Sequence, residues 1–452
     1  MNNTYPTLTL LLISLMIFGC NTIDNGSLTQ EMKELRADNK LIVNSDNEEV
    51  LLKGVNVGQW LIMEGFMSGS NGNMKQVDMK RKLFDSGLQP EAIEVLFQKW
   101  RDNFITEADV EFIASRGFNA IRVPLHYELF LTSAQRELRT DVAYTDGNAK
   151  LTKYNEYKAS LKSWVDNNEL AESKNLDGFK IIDDLISWSK PHGIYLILDM
   201  HAVPGTAGDN SPITDELYSS KDFFNDSRNP IALSRIWDRI SERYKDENTI
   251  AMYDLINEPH RLNDSDMGIL RNAFNVMIQN IRANNDNTLI IIQGGEFGNQ
   301  YKTNGGSNSL FPSDFTDNSN LVYNIHRYRL PNNKTESNPW NQQNHVAYFA
   351  DAIAFQNQYN VPMFVGETGL DTDYARLAGN FDTMEELKFG YTLWSLKYHT
   401  DENVFRAPAY ILGNDPWDDL TQWTDGTLFE NIRMENSVIN PRGEFWQALV
   451  PD

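Results

Sequence analysis

Two glutamates stand out because each closes a short apolar run. Residues 250–260 read Ile-Ala-Met-Tyr-Asp-Leu-Ile-Asn-Glu-Pro-His, so Pro259 ends the run directly after Asn257 and Glu258. Strand interiors exclude proline, which puts Asn257 and Glu258 at a strand end or in the loop that follows. Met363-Phe-Val-Gly-Glu leaves Glu367 in the same position. Arg122, His201 and His326 with Tyr328 end other apolar runs, and Trp394 lies within Tyr391-Thr-Leu-Trp-Ser-Leu. Paired carboxylates suit the cleavage of a glycosidic bond. One protonates the leaving oxygen and the other attacks the anomeric carbon, at a separation of about 5–5.5 Å when configuration is retained. For that work Glu367 has to stay ionised, which a nearby Arg122 and Tyr328 would favour. Glu258 has to carry a proton, which an apolar wall and a negative neighbour would favour. Asn257 suits the hydroxyl next to the reacting carbon, and Trp394 an apolar floor beneath the ring.

Such a constellation needs a scaffold that brings distant chain segments to one rim. Strand and helix patterns alternate along the chain. Apolar strands are expected at 53–58, 119–124, 194–201, 250–256, 289–293, 321–326, 363–367 and 391–396. The nearly continuous apolar run Ile194-Tyr-Leu-Ile-Leu-Asp-Met-His is typical of a parallel strand buried on both faces. Eight alternating units predict an α/β fold, a closed (β/α)8 TIM barrel, with the polar residues at the strand ends gathered on its catalytic rim. Lys40-Leu-Ile-Val and Val50-Leu-Leu flank Asn44-Ser-Asp-Asn and read as an N-terminal β-hairpin lid. Connections at 61–105, 125–177 and 398–440 are too long for simple turns and are expected to shape the rim. No glycine-rich phosphate fingerprint follows the first strand, which disfavours a dinucleotide fold.

At 452 residues, 41% hydrophobic and 23% charged, the chain can bury a large core, and no internal linker divides it. A net charge of −23 excludes a nucleic-acid partner, because no basic stripe is left to meet phosphates. A neutral sugar polymer is compatible with that balance, and so are ten Trp and 18 Tyr. Cys20 is the one cysteine, so no intrachain disulfide or thiolate metal cluster can form. It follows the apolar stretch 8–18, which is too short for a comfortable membrane span. Residues 1–20 therefore look like a lipoprotein-type signal peptide with Cys20 as the lipidated residue, an ordinary secretory signal being the alternative. Residues 21–39 read as a polar tether with a short helical piece, and 40–452 as the catalytic domain. Export, a bacterial envelope location and a lipid-anchored contact with a membrane surface are the corresponding expectations.

The set Arg122, His201, Asn257, Glu258, His326, Tyr328, Glu367 and Trp394 resembles the pattern of glycoside hydrolase family five, the cellulase-like family, over roughly residues 40–450. Leu255-Ile-Asn-Glu-Pro and Phe364-Val-Gly-Glu-Thr-Gly are its most specific pieces. The resemblance implies a retaining barrel with Glu258 as general acid/base and Glu367 as nucleophile. It also implies His326 and Tyr328 as supports and His201 as a sugar contact. Gly54-Val-Asn-Val-Gly-Gln-Trp-Leu-Ile-Met-Glu64 is similar to the opening of the exo-1,3-β-glucanase branch. There Glu64 would contact the sugar at the non-reducing end.

The reading is retaining hydrolysis of β-glucan or its oligosaccharides, exo-acting, without cofactor and without metal. An endo-acting β-glucanase or β-mannanase is the rival among enzymes, and a non-catalytic sugar-binding lipoprotein the rival of another class. Glu128 and Glu296 are competing carboxylates, and Trp340, Trp417 and Trp423 are sugar platforms or packing groups. Oligomeric state is not legible.

Overall fold

The computed structural model describes residues 31–67, 74–299, 309–328, 342–369, 373–399, 407–411, 416–417, 419–440 and 443–449. The signal segment with Cys20, the first part of the tether and Trp340 lie outside the described residues.

Eight parallel strands close a barrel: β3 (Lys53–Asn56), β4 (Ala120–His126), β5 (Tyr195–Ala202), β6 (Ile250–Asp254), β7 (Leu289–Ile292), β8 (Leu321–Arg327), β9 (Met363–Thr368) and β10 (Gly390–Leu393). β10 pairs with β3 to complete the ring. Helices cover the outside, among them Asp177–Ser189, Arg228–Tyr244 and Asp264–Ala283, each turning an apolar face to the strands. Among the described residues no helix is long and apolar enough to cross a membrane.

Ahead of the barrel, β1 (Leu35–Asp38) and β2 (Leu41–Asn44) form an antiparallel hairpin about Asn39, which takes a left-handed φ of 56°. The helical piece expected before residue 39 is therefore a strand. Burial of Leu35 against the barrel outweighs the helix preference of Leu-Arg-Ala. The turn expected at Asn44-Ser-Asp-Asn is present: Asn44 Oδ1 accepts from the amides of Asp46 and Glu48 at 2.9 and 3.0 Å. The Val50 amide bonds the Ile42 carbonyl at 2.9 Å. Leu35 and Ile42 pack on Leu52, Ala120, Ile197, Leu289 and Phe364, near the starts of the barrel strands. The hairpin thus closes the mouth of the barrel opposite the strand C-termini.

The long connections carry structure of their own. Residues between β3 and β4 include helices Gln76–Asp85, Pro90–Phe104 and Glu107–Ser115, and those between β4 and β5 include Ser133–Tyr144 and Gly147–Asp166. Beyond β10, strands Lys397–His399, Ala409–Ile411 and Val438–Ile439 make a small sheet beside the barrel, which the sequence pattern did not announce.

Candidate active site

Strand alternation builds the site from below. On β4, Ile121 and Val123 face the helices while Ala120 and Arg122 face the barrel axis; on β5, Ile197, Asp199 and His201 face inward in turn. On β8 the inward series is Val322, Asn324 and His326. Each series passes from an apolar residue to a polar one within two positions, so an apolar floor carries a polar layer.

Glu367 breaks the alternation for a structural reason. The β8–β9 register shifts between Ile325 and His326, so that Ile325 pairs with Val365 but His326 with Glu367. The extra residue, Gly366, is a bulge that re-aims the next side chain into the barrel. A Cβ at Gly366 would lie 2.6 Å from Asn324 Oδ1, so the bulge needs glycine.

Arg122, fully buried, organises the polar layer. Its Nη1 donates to Glu367 Oε1 at 2.9 Å and to Asn56 Oδ1 at 3.0 Å. Its Nη2 donates to Asp254 Oδ2 and to Asn257 Oδ1, both at 2.8 Å, and lies 3.1 Å from Asp199 Oδ2. Burial would lower the guanidinium pKa, but Asp199, Asp254 and Glu367 together raise it, so it stays charged. Burial lifts Asp199 to about 7 and Asp254 to about 6, against the pull of Arg122. Asn257 Nδ2 donates to His201 Nε2 at 3.2 Å, which leaves the His201 proton on Nδ1, facing Asp199 Oδ2 at 2.8 Å. Burial lowers His201 to about 4, so the ring is neutral. It stacks on Trp394 with centroids 5.4 Å apart.

The two glutamates sit in different company. Glu367 accepts from Arg122 and from the Tyr328 hydroxyl, the two donors expected around an ionised carboxylate. Glu258 has one neutral neighbour instead. His326 Nδ1 lies 2.5 Å from Glu258 Oε1 and 3.6 Å from Glu367 Oε2, and burial lowers this ring to about 4. Burial raises the Glu258 pKa despite opposing pulls from His201, His260 and Arg122, which favours the protonated acid. Glu64 is also buried, with Oε1 3.8 Å from His201 Nε2 and without a hydrogen-bond partner. Burial, then Glu367, Glu258 and Asp199, push its carboxyl well up.

A match to the family model for cellulase, glycosyl hydrolase family 5, covers residues 77–400 of this chain. The chain belongs to glycosyl hydrolase family 5. A β-xylosidase of Phanerodontia chrysosporium is 26% identical over 304 residues, 66% of this chain and 52% of that protein. A probable glucan 1,3-β-glucosidase A of Aspergillus clavatus is 26% identical over 357 residues, 75% of this chain and 69% of that one. A glucan endo-1,6-β-glucosidase B of Emericella nidulans is 22% identical over 379 residues, 81% and 82% of the two chains. The chain thus spans about half the length of the first relative and over two thirds of the other two.

All eight residues singled out at the strand ends come together at this one family-5 rim, and Glu64 joins them. Of the competing carboxylates, Glu128 lies elsewhere, in a buried ion network with Lys80 Nζ at 3.3 Å and Arg139 Nη1 at 2.8 Å. Glu296 is half-buried beyond β7, bridged by backbone to His260. Trp417 and Trp423 are packing groups: Trp423 stacks on Phe97 and Trp100 at 5.6 and 5.8 Å, and Trp417 packs on Trp423 at 4.7 Å. One oxygen of each glutamate and a nitrogen of His326 lie within 4.8 Å of one another, close enough to hold a cation. Arg122 already brings a positive charge to Glu367, which opposes a second one there. Sequence reasoning missed Asn56, Asp199, Asp254 and Gln293 as the groups that fix Arg122 and Glu258; their inward parity on β3, β5 and β6 and directly after β7 was the available signal.

Proposed function

We propose that this family-5 protein is a retaining β-glycosidase that acts on β-glucan or its oligosaccharides and releases sugar from a chain end. The observation that carries the reading is the asymmetry of the glutamate pair. Glu367 holds two donors suited to an anion, Glu258 holds a neutral histidine and a raised pKa, and their nearest oxygens are within 4.8 Å. Oxygens that close are compatible with direct attack by one carboxylate, for which the carboxyl groups stand about 5–5.5 Å apart.

In the first step a Glu367 oxygen forms a bond to the anomeric carbon as the glycosidic C–O bond breaks. The Glu258 proton passes to the departing oxygen. In the second step Glu258, now a carboxylate, takes a proton from water. The water oxygen bonds the anomeric carbon, and Glu367 leaves as the carboxylate. Arg122 and Tyr328 stabilise Glu367 both before attack and as it departs. Asn257, fixed by Arg122 and His201, presents its amide toward the neighbouring sugar hydroxyl, and Trp394 supports the ring.

Supporting a β-glucan substrate are two of the relatives, a probable glucan 1,3-β-glucosidase and a glucan endo-1,6-β-glucosidase. End-on action is supported by Glu64, whose unpartnered buried oxygen suits a terminal hydroxyl. The endo-acting relative favours the rival reading of internal cleavage. A time course on defined β-1,3-, β-1,4- and β-1,6-linked oligosaccharides, with the first-formed anomer read by NMR, tests the proposal. Early mono- or disaccharide with the β anomer first is the expected result. Rapid loss of polymer viscosity refutes end-on action, α anomer first refutes retention, and binding without hydrolysis restores the sugar-binding reading. We further propose export with lipidation at Cys20; loss of membrane association in Cys20→Ala is the corresponding check.

A further inference from the structure

Glu258 stands on strained backbone. Its φ is +46°, a left-handed conformation that a non-glycine residue adopts only against the clash of its Cβ with the backbone. Such a conformation persists only when its surroundings hold it, and the peptide groups on both sides of Glu258 are held by side chains. On the amide side, Gln293 Oε1 accepts from the Glu258 N–H at 2.9 Å. The other end of the Gln293 amide is fixed by Asp254, with both carboxylate oxygens 2.8 Å from Nε2. On the carbonyl side, His260 Nδ1 lies 2.7 Å from the Glu258 oxygen.

The rest of the His260 ring settles its tautomer. Its Nε2 accepts from the amides of Asp209 and Asn210, both at 2.9 Å, so Nε2 carries a lone pair and Nδ1 carries the proton. The ring is completely buried and lies parallel to Phe297, centroids 4.2 Å apart. Gly208 leaves just enough space: a Cβ there would stand 1.9 Å from His260 Cε1. His260 touches neither glutamate carboxyl, and no strand-end reading would have placed it in the site.

We infer that His260 is a positioning residue for the general acid. Through one donated and two accepted hydrogen bonds it ties the backbone of Glu258 to the loop after β5, and so sets where the Glu258 carboxyl stands against the leaving oxygen. The inference rests on Glu258 being the acid/base. A misplaced acid handicaps poor leaving groups and spares those that depart without a proton, whereas general damage to the fold lowers both alike.

The test uses the full chain and a pair of β-glucosides, one with a 2,4-dinitrophenyl and one with an alkyl leaving group. Two variants divide the histidine's bonds. His260→Gln can place an oxygen near Nε2 and keep the loop contact while losing the donor to Glu258. His260→Asn can keep that donor and lose the loop acceptor. Expected for His260→Gln is a loss of roughly 10²-fold in kcat/KM on the alkyl glucoside, the usual consequence of a misplacement of about 1 Å. The dinitrophenyl glucoside should lose less than about 3-fold, and His260→Asn should recover part of the alkyl activity. Equal losses on the two substrates, or none in a folded His260→Gln, overturn the inference. Should that variant not fold, Gly208→Ala, which displaces the ring, is read the same way. Glu258→Ala on the same pair separates the failures: without a leaving-group dependence there, the acid assignment falls. With that dependence present there and absent at position 260, only the positioning role falls.

Discussion

Replacing Asp199 by asparagine should make the protein relatively more stable as pH rises, although it removes a buried carboxyl beside Arg122. Asp199 is fully buried, 3.1 Å from Arg122 Nη2 and 2.8 Å from His201 Nδ1, and its Oδ1 has no hydrogen-bond partner. Burial raises its pKa from 3.8 to about 7. A carboxyl with a raised folded pKa binds its proton more tightly in the native state. Its contribution is therefore complete below the unfolded value and is lost as pH rises through the folded one. With the folded value at about 7, linkage withdraws roughly 2–3 kcal/mol from the wild type between pH 5 and pH 8. Asparagine keeps the shape and the acceptor and has no proton to lose. Asp254, raised to about 6, is present in both chains and largely cancels in the comparison. The assay is guanidinium unfolding of wild type and Asp199→Asn at pH 5 and pH 8. The free-energy difference between the two should move by roughly 2–3 kcal/mol in favour of the variant across that interval. A difference that does not change with pH, or that moves toward the wild type, would refute the claim that Asp199 is held protonated by burial.

Glu367→Ala should abolish turnover, and added azide should restore reaction with an α-glycosyl azide as product; full activity without azide would mean that the nucleophile is another group. For the wild type, kcat/KM should persist above the ordinary carboxylate range and then fall as pH rises through the raised Glu258 pKa, because the acid must hold its proton. A basic limb that survives unchanged in Glu258→Gln would assign that limb elsewhere. Tyr328→Phe removes one of the two donors to Glu367 and should lower kcat more than it raises KM, measured on an oligosaccharide. Trp423→Ala should cost roughly 3–5 kcal/mol in unfolding free energy, since it empties a fully buried stack, with little change in KM for the residual folded enzyme.

The barrel was legible because parallel strands buried on both faces leave an unmistakable trace, as in Ile194-Tyr-Leu-Ile-Leu-Asp-Met-His. The glutamates were legible because proline or glycine fixes the ends of the runs that carry them. What the strands do to side-chain direction was harder to read. Glu367 points inward only because Gly366 adds a residue to the ladder, and that bulge exists only in the pairing of β8 with β9. Asp199 and Asp254 stood in plain view within quoted motifs, yet their roles depend on Arg122 reaching both from another strand. Leu35 shows the opposite limit: a segment with helical composition becomes a strand because the barrel mouth offers it a place to be buried. The helical insertions after β3 and β4 were read as long loops, although in Pro90–Phe104 the buried Ile93, Leu96, Phe97, Trp100 and Phe104 keep the spacing of one helix face.

The hairpin of β1 and β2 also governs how such a barrel is presented to its surroundings. It seals the mouth opposite the glutamates, so the described chain enters on the side away from the reactive rim. Under the proposed lipidation at Cys20, attachment would come from that side and leave the reactive rim facing away from the membrane. An insoluble or long polymer could then be approached from above without the attachment competing for the same space. Moving the attachment to the rim side would shield the glutamates from polymer while leaving short soluble glycosides free to enter.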